Sequence, residues 1–331
     1  MRIPAMPDDI RAFIEGHRAF FILSHQEPDG DCIGSSLALR SFLRRLGKFA
    51  EAYNEGPFDR SEIRHFAQEF SSHIPEDVLQ EYPDAGVFVV DSSSFDRVGD
   101  LRDQIRAFPI AVIDHHMTGH PFGQVHMIAP EVPSTTLLIQ QIIEGFGHTP
   151  TKEEADLLFL GLATDTGFFQ FINAGAGDVF HAAGRLVDIG TSPRHMHRSI
   201  NDNRSVQSRK HLARLLERAE SHMDGKLYLS YAPLSDETEF GKNERDSDSL
   251  YFLLLNIREC EAVAFLREIG DGITVGSLRS VEYIDVSTIA HSFGGGGHTR
   301  AAGFKTEQHL SDVKNQILEK FSKAFAEHAQ S

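Results

Sequence analysis

The sequence predicts an α/β fold in two parts: a domain built on a mainly parallel sheet, joined by a helical linker to a smaller α/β domain. Three observations predict it. The chain has 331 residues, more than one ordinary core holds and comfortable for two. From residue 20 to about 190, short β-rich runs alternate with helical patterns, as in parallel sheets with helices on their faces. After residue 222 a second strand-rich unit begins. The expected boundaries are 1–200 for the first domain, 201–222 for the linker and 223–331 for the second domain.

Each element has its own signal. Residues 20–24 read as a strand and 33–46 as the helix after it, closed by Gly47, since glycine readily ends a helix in the left-handed conformation. Residues 87–91 and 110–114 are apolar runs that each finish on a carboxylate. In sheets of this kind ligands gather at the carboxyl ends of strands, so those two acids draw attention. Helices are expected over 134–144, 152–164 and 178–189. From residue 193 to about 222 the pattern is helical and basic, with Arg194, Arg198, Arg204, Arg209, Lys210, Arg214 and Arg218. Strands over 227–231, 262–266 and 273–278, a helix over 285–292, a glycine run over 294–297 and an amphipathic helix over 310–326 complete the chain.

Composition excludes several classes. Hydrophobic residues at 40% and charged residues at 24% are ordinary globular values. The longest apolar runs, such as 157–163 and 251–255, fall short of the ~20 residues that a membrane span needs. Asp8, Asp9 and Glu15 interrupt the N-terminal apolar residues where a secretory signal would be basic and then apolar, so a cytoplasmic protein is expected. Cys32 and Cys260 build neither a disulfide framework nor a cysteine zinc site. The formal charge of −16 argues against coating long DNA or RNA, which requires Lys and Arg to neutralise many phosphates. A nucleic-acid substrate should be short and held locally.

Four clusters carry candidate chemistry. The first, Ser24-His25-Gln26-Glu27-Pro28-Asp29-Gly30-Asp31, puts an imidazole and several carboxylates where a strand gives way to a helix. Such donors suit hard or borderline divalent metals, although Pro28 and Gly30 also make an ordinary turn. In the second, Val89-Val90-Asp91, the aspartate is equally placed to cap a helix. The third, Asp114-His115-His116, offers a ligand, an orienting acid and a phosphate contact, or two solvated histidines. The fourth, Thr164-Asp165-Thr166-Gly167, also fits a helix stop.

In order, these blocks resemble the DHH phosphoesterase superfamily, named for its Asp-His-His motif. The C-terminal half adds Ser277-Leu278-Arg279-Ser280 and Ile289-Ala290-His291-Ser292-Phe293-Gly294-Gly295-Gly296-Gly297-His298-Thr299-Arg300-Ala301-Ala302-Gly303-Phe304, similar to the DHHA1 domain. Read from the residues, consecutive glycines let backbone amides approach an anion, while a flexible linker is the common alternative. Together the two halves resemble the oligoribonuclease and pAp-phosphatase branch, the nano-RNases, over residues 15–325. Two departures stand out: Thr118-Gly119-His120 follows the Asp-His-His where the family often shows Asn, and Phe168-Phe169-Gln170-Phe171 lacks a basic residue that some relatives carry.

The resemblance implies two divalent ions, Mn²⁺ first among them. His25, Asp29 and Asp91 would hold one, and Asp31, Asp91, His115 and Asp165 the other, with Asp91 bridging. His116 would contact the phosphate or move a proton, oriented by Asp114. Arg279, Ser280, Gly295, Gly296, Gly297 and His298 would grip the far end of the substrate across an inter-domain cleft. Implied substrates are RNA of two to five nucleotides, cut to mononucleotides, and pAp, converted to AMP; a homodimer is the expected assembly. The alternatives are a phosphodiesterase for signalling dinucleotides (c-di-AMP, pApA, pGpG) and a non-catalytic RNA-binding protein.

Three other features read as structural. His195 and His197 sit among Arg194 and Arg198 with no adjacent carboxylate, which fits a solvated basic face. Cys32 fits a small packed residue at a helix start. The phenylalanines at 168, 169 and 171 fit core packing before base stacking.

Overall fold

The structure, a computed structural model, describes residues 2–92, 94–116, 122–201, 204–241, 245–270 and 272–328. Thr118-Gly119-His120 lies outside the described residues. The chain forms two compact units, Met1–Asn203 and Arg204–Ser331.

Unit 1 is a parallel sheet of order β2-β1-β3-β4-β5, with β1 Ala19–Leu23, β2 Phe49–Tyr53, β3 Gly86–Val90, β4 Ile110–Asp114 and β5 Val125–Ile128. Every residue of β1, β3 and β4 is buried, because side chains alternate between two covered faces. Phe20, Ile22, Phe88, Val90 and Ile113 enter one core. It also holds residues of α1 Asp8–Gly16, α2 Gly30–Arg45, α5 Thr135–Gly145, α6 Lys152–Asp165 and α7 Gly177–Ile189. Phe21, Leu23, Val87, Val89 and Val112 enter the other, under α3 Glu76–Glu81 and α4 Leu101–Ile105.

Register positions the site. Leu23 pairs with Val89 and Val90 with Ile113, so β1, β3 and β4 end side by side. The chain runs from β1 to the edge strand β2 and returns to β3 on the other side, making a switch point between β1 and β3 where ligands collect. The edge strands β2 and β5 were not expected from the sequence; Phe49-Ala50-Glu51-Ala52-Tyr53 and Val125-His126-Met127-Ile128 are short and mix polar with apolar residues. Helix α2 begins at Gly30, earlier than the expected residue 33, because the Asp29 side chain accepts the Asp31 and Cys32 amides as its N-cap.

Unit 2 is a mixed six-stranded sheet of order β10-β11-β9-β8-β7-β6: β6 Glu220–His222, β7 Leu227–Ala232, β8 Ala262–Gly270, β9 Ile273–Ser280, β10 Gly296–His298 and β11 Ala301–Thr306. The β7/β8 pair is parallel and its neighbours are antiparallel. Helices α12 Val286–His291 and α13 Leu310–His328 share one core, and α9 Val206–Glu217 and α11 Ser247–Leu255 share another. Residues 206–217, read as part of the linker, thus place Leu212 and Leu215 in a core of unit 2, while α8 Pro193–Asn201 belongs to unit 1. Among the described residues no helix is long and apolar enough to cross a membrane.

Candidate metal centre

The ends of β1, β3 and β4, together with the start of α2 and the end of α6, bring six predicted ligands together. His25 is buried past β1. Its Nδ1 lies 2.6 Å from the Gln26 carbonyl, an oxygen that can only accept, so Nδ1 carries the proton and Nε2 presents a lone pair. Nε2 lies 3.9 Å from Asp29 Oδ2 and 3.7 Å from Asp91 Oδ2. Asp29 divides its oxygens: Oδ1 caps α2 at 3.1 Å from two amides, leaving Oδ2 for the site.

Asp91 follows β3 at φ 57°, a left-handed conformation that costs a non-glycine residue stability and is typical of constrained functional positions. Its oxygens face opposite ways. Oδ2 accepts from Cys32 Sγ at 3.2 Å and faces His25; Oδ1 accepts from the Thr135 hydroxyl at 3.1 Å and lies 3.5 Å from His115 Nε2.

His115 repeats the logic of His25. Its Nδ1 donates to the Val132 carbonyl at 3.2 Å, turning Nε2 toward Asp165 Oδ2 at 3.2 Å, Asp91 Oδ1 at 3.5 Å and Asp31 Oδ2 at 3.8 Å. Despite the 3.2 Å separation, Nε2 is buried without a properly directed hydrogen bond. Asp114 Oδ1 accepts the His116 Nδ1–H at 2.7 Å and the His115 amide at 2.7 Å, so it orients the pair from behind. Three overlapping donor sets result, each with its ligand atoms within 4.8 Å: His25, Asp29, Cys32 and Asp91; Asp91, His115 and His116; Asp31, His115 and Asp165.

Electrostatics explain what such a cage selects. Burial raises the Asp31 pKa to about 7, with Asp165 adding to the effect. Burial, then the Asp31 and Asp29 charges, pushes Asp91 well above the usual carboxylate range; Asp165 also rises, chiefly through burial. For His115, burial pulls downward, but the adjoining Asp165 carboxylate, with the Asp31 charge behind it, holds the imidazole up at about 9. Burial outweighs Asp29 at His25 and lowers it, keeping that ring neutral and ligand-ready. A cage of crowded, desolvated carboxylates with two imidazole Nε2 atoms aimed inward favours positive charge, a proton on His115 or a metal cation in its place. Its oxygen and nitrogen donors fit hard or borderline divalent cations.

Sequence reasoning missed the groups behind the ligands. Asp31 Oδ1 accepts from the Ser134 hydroxyl at 2.7 Å and the Thr136 amide at 3.0 Å, and Oδ2 accepts the Thr135 amide at 2.6 Å. The first turn of α5 thus places its amides and the positive end of its dipole on a buried acid. The signal was present as Pro133-Ser134-Thr135-Thr136, an N-cap pattern, but nothing local names its partner. Cys32, read as packing, touches the centre through Asp91.

In unit 2 the predicted grip residues meet different fates. Arg279 lies over the Tyr251 ring, 4.7 Å from its centroid, and His298 is exposed at the end of β10. Ser280 is buried and its hydroxyl donates to the Ile284 carbonyl at 2.7 Å. The glycine run is no open loop. The Gly294 and Gly295 amides donate to His291 and Ala290 at the end of α12, and Gly296 and Gly297 pair with Gly303 and Ala302. A Cβ at Gly295 would sit 2.2 Å from the Gly303 carbonyl, so close backbone approach requires glycine there.

The family model for the DHH family N-terminal domain matches residues 19–162, and that for the DHHA1 domain matches 224–327. The bifunctional oligoribonuclease and PAP phosphatase NrnA of Thermus thermophilus is 31% identical over 86% of this chain and 82% of its own. The chain belongs to the DHH family. This DHH protein is a phosphoesterase of α/β architecture, as the resemblance implied. The cyclic-di-AMP phosphodiesterase GdpP of Geobacillus thermodenitrificans is 25% identical over 94% of this chain and 48% of its own. Among solved structures, an exopolyphosphatase-related protein from Bacteroides fragilis superposes with a TM-score of 0.82 at 25% identity, covering 95% of each chain.

Proposed function

We propose that this DHH protein is a cytoplasmic two-metal phosphoesterase that hydrolyses oligoribonucleotides of two to five residues to mononucleotides, and pAp to AMP. The observation that carries the reading is Asp91, with one oxygen facing His25 at 3.7 Å and the other facing His115 at 3.5 Å. That is the disposition of a carboxylate shared by two cations. His25, Asp29 and Asp91 would hold one ion, Asp31, Asp91, His115 and Asp165 the other, and Mn²⁺ suits the mixed donors.

When bound, such a pair supplies Lewis acidity that ionises an attacking water near neutral pH and steadies charge on the phosphoryl oxygens. The protein's own residues do the positioning. Ser134 and the α5 amides fix Asp31, and Val132 fixes the His115 ring. Asp114 holds Nδ1 of the half-buried His116, leaving Nε2 to contact the phosphate and move a proton. Arg279 and the exposed His298 would bind the far end of the substrate, Arg279 through a planar donor fork that suits phosphate.

The likeness to NrnA supports short RNA and pAp as substrates, and the charge of −16 supports short over long. The likeness to GdpP favours a second reading, hydrolysis of signalling dinucleotides. One product time course with Mn²⁺ tests both, on pAp, linear and cyclic dinucleotides, RNA of two to twenty-four nucleotides, and pyrophosphate. Fastest release of mononucleotides from the shortest RNAs is expected. Preference for the 24-mer or for pyrophosphate overturns the proposal, preference for cyclic dinucleotides selects the second reading, and absence of turnover and metal binding returns the protein to a non-catalytic RNA binder.

A further inference from the structure

We infer that the turn after Asp165 carries a nucleobase-stacking subsite, with the Phe171 ring as its platform; this rests on the oligonucleotide reading above. Helix α6 ends at Asp165, and the chain then places three successive residues in the left-handed region: Gly167 at φ 54°, Phe168 at 56° and Phe169 at 71°. Bulky side chains rarely take that conformation, and where they do the surrounding structure enforces it. Here the enforcing contacts are visible. The Phe168 amide donates to the Ala163 carbonyl at 2.7 Å, the Phe171 amide to the Thr166 carbonyl at 3.0 Å, and the Phe169 amide to the Thr166 hydroxyl at 2.9 Å.

The strain is not there to bury Phe171. Phe168 and Phe169 pack edge-on against Phe159, with centroids 6.1 and 5.8 Å apart, and so join the core as the sequence suggested. Phe171 is 69% exposed. Its ring lies against Gly167, so closely that a Cβ there would come 2.4 Å from Phe171 Cε2. Gly167 is two residues from Asp165, hence within about 7.6 Å of it between Cα atoms. A single exposed apolar side chain is ordinary on a protein surface. A ring seated on a glycine by a strained turn, two residues past a candidate ligand, is what a nucleotide needs for its base when its phosphate lies at the metal cage. Stacking accepts any base through its π-face, so the subsite recognises nucleobases as a class and gives no sequence preference.

The test compares pApA with an abasic dinucleotide of the same backbone, using the full chain with Mn²⁺. For Phe171→Ala, kcat/KM on pApA should fall about ten- to hundredfold, and on the abasic substrate less than about threefold, as loss of one base stack predicts. Phe171→Leu, which keeps apolar bulk without a π-face, should behave like the alanine variant, and Phe171→Tyr should recover the loss. The sequence contains no tryptophan, so Phe171→Trp introduces a single one, whose selectively excited emission AMP should quench and ribose 5-phosphate should not. Equal losses on both substrates, no loss on either, a leucine variant as good as wild type, or no distinction between AMP and ribose 5-phosphate overturns the subsite while the oligonucleotide reading stands. A wild-type protein that cleaves neither dinucleotide overturns that reading and this inference with it.

Discussion

Thr135 donates its backbone amide to Asp31 Oδ2 at 2.6 Å, so a carboxylate delivered by α2 is held by the first turn of α5, over a hundred residues later. Ser134 strengthens the hold through its hydroxyl. Ser134→Ala should weaken divalent-ion affinity about tenfold, as loss of groups behind metal ligands commonly does, and cost about 1 kcal/mol of stability through the lost helix cap. Calorimetric Mn²⁺ titration and thermal melts measure the two effects separately.

Asp91→Ala should reduce turnover roughly a thousandfold or more, because neither donor set keeps its shared carboxylate. The variant should remain folded, since removing a desolvated acid crowded by Asp31 and Asp29 relieves repulsion. Near-wild-type turnover in the folded variant, with Mn²⁺ present, contradicts the two-ion centre.

Gly161→Ala probes the contact between α2 and α6. A Cβ at Gly161 would lie 2.5 Å from Thr136 Cγ2 and 2.7 Å from Asp31 Oδ1, in a region where no side chain can be displaced without moving the site. A loss of about 1 to 3 kcal/mol from overpacking is expected, with weaker metal binding alongside. Gly184→Ala on α7, where a Cβ would meet nothing within 4 Å, is the control and should be neutral or slightly stabilising.

Chelation should abolish activity while the fold survives, and it should expose a pH dependence. Asp31 has its folded pKa raised to about 7 and His115 to about 9. Raised values stabilise the fold at low pH and lose that contribution as pH climbs through them. His115 loses its share between pH 6.5 and 9, while Asp31 loses most of its own below about pH 7, and the lowered His25 makes no opposing change above pH 6.5. In chelator the melting temperature should therefore fall across that interval, by about 5 °C or more; with Mn²⁺ the fall should flatten, because the cation replaces the protons. A melting temperature that rises from pH 6.5 to 9 in chelator contradicts the electrostatics of the cage.

Arg279→Ala and His298→Ala should lower kcat/KM on di- and trinucleotides about ten- to hundredfold, with much smaller losses on a small generic phosphodiester, the pattern of lost positioning. Parallel kinetics on a dinucleotide, a 24-nucleotide RNA and the generic ester decide it. Equal loss on all three marks these residues as structural.

The sequence alone determined the fold class and the identities of the candidate ligands. Val87 to Val90 and Ile110 to Ile113 are unbroken apolar runs that can only be buried strands, and each hands its chain to an acid. The four short blocks that carry the donors are local and therefore legible. What only the tertiary structure decided is how those blocks are held. The α5 cap on Asp31, the Cys32 contact to Asp91 and the choice of tautomer at His25 and His115 depend on partners far away in sequence or on carbonyls that any residue carries, so no periodicity reveals them. The edge strands escaped for a related reason: β5 buries only Met127, and β2 buries two small alanines and Tyr53 around an acid, so neither carries a strong apolar pattern. The glycine run shows the limit most directly. Its composition announced a loop, but the pairing of Gly296 and Gly297 with β11 made it a strand, because backbone hydrogen bonds between distant segments are satisfied in space and leave no mark on the order of side chains.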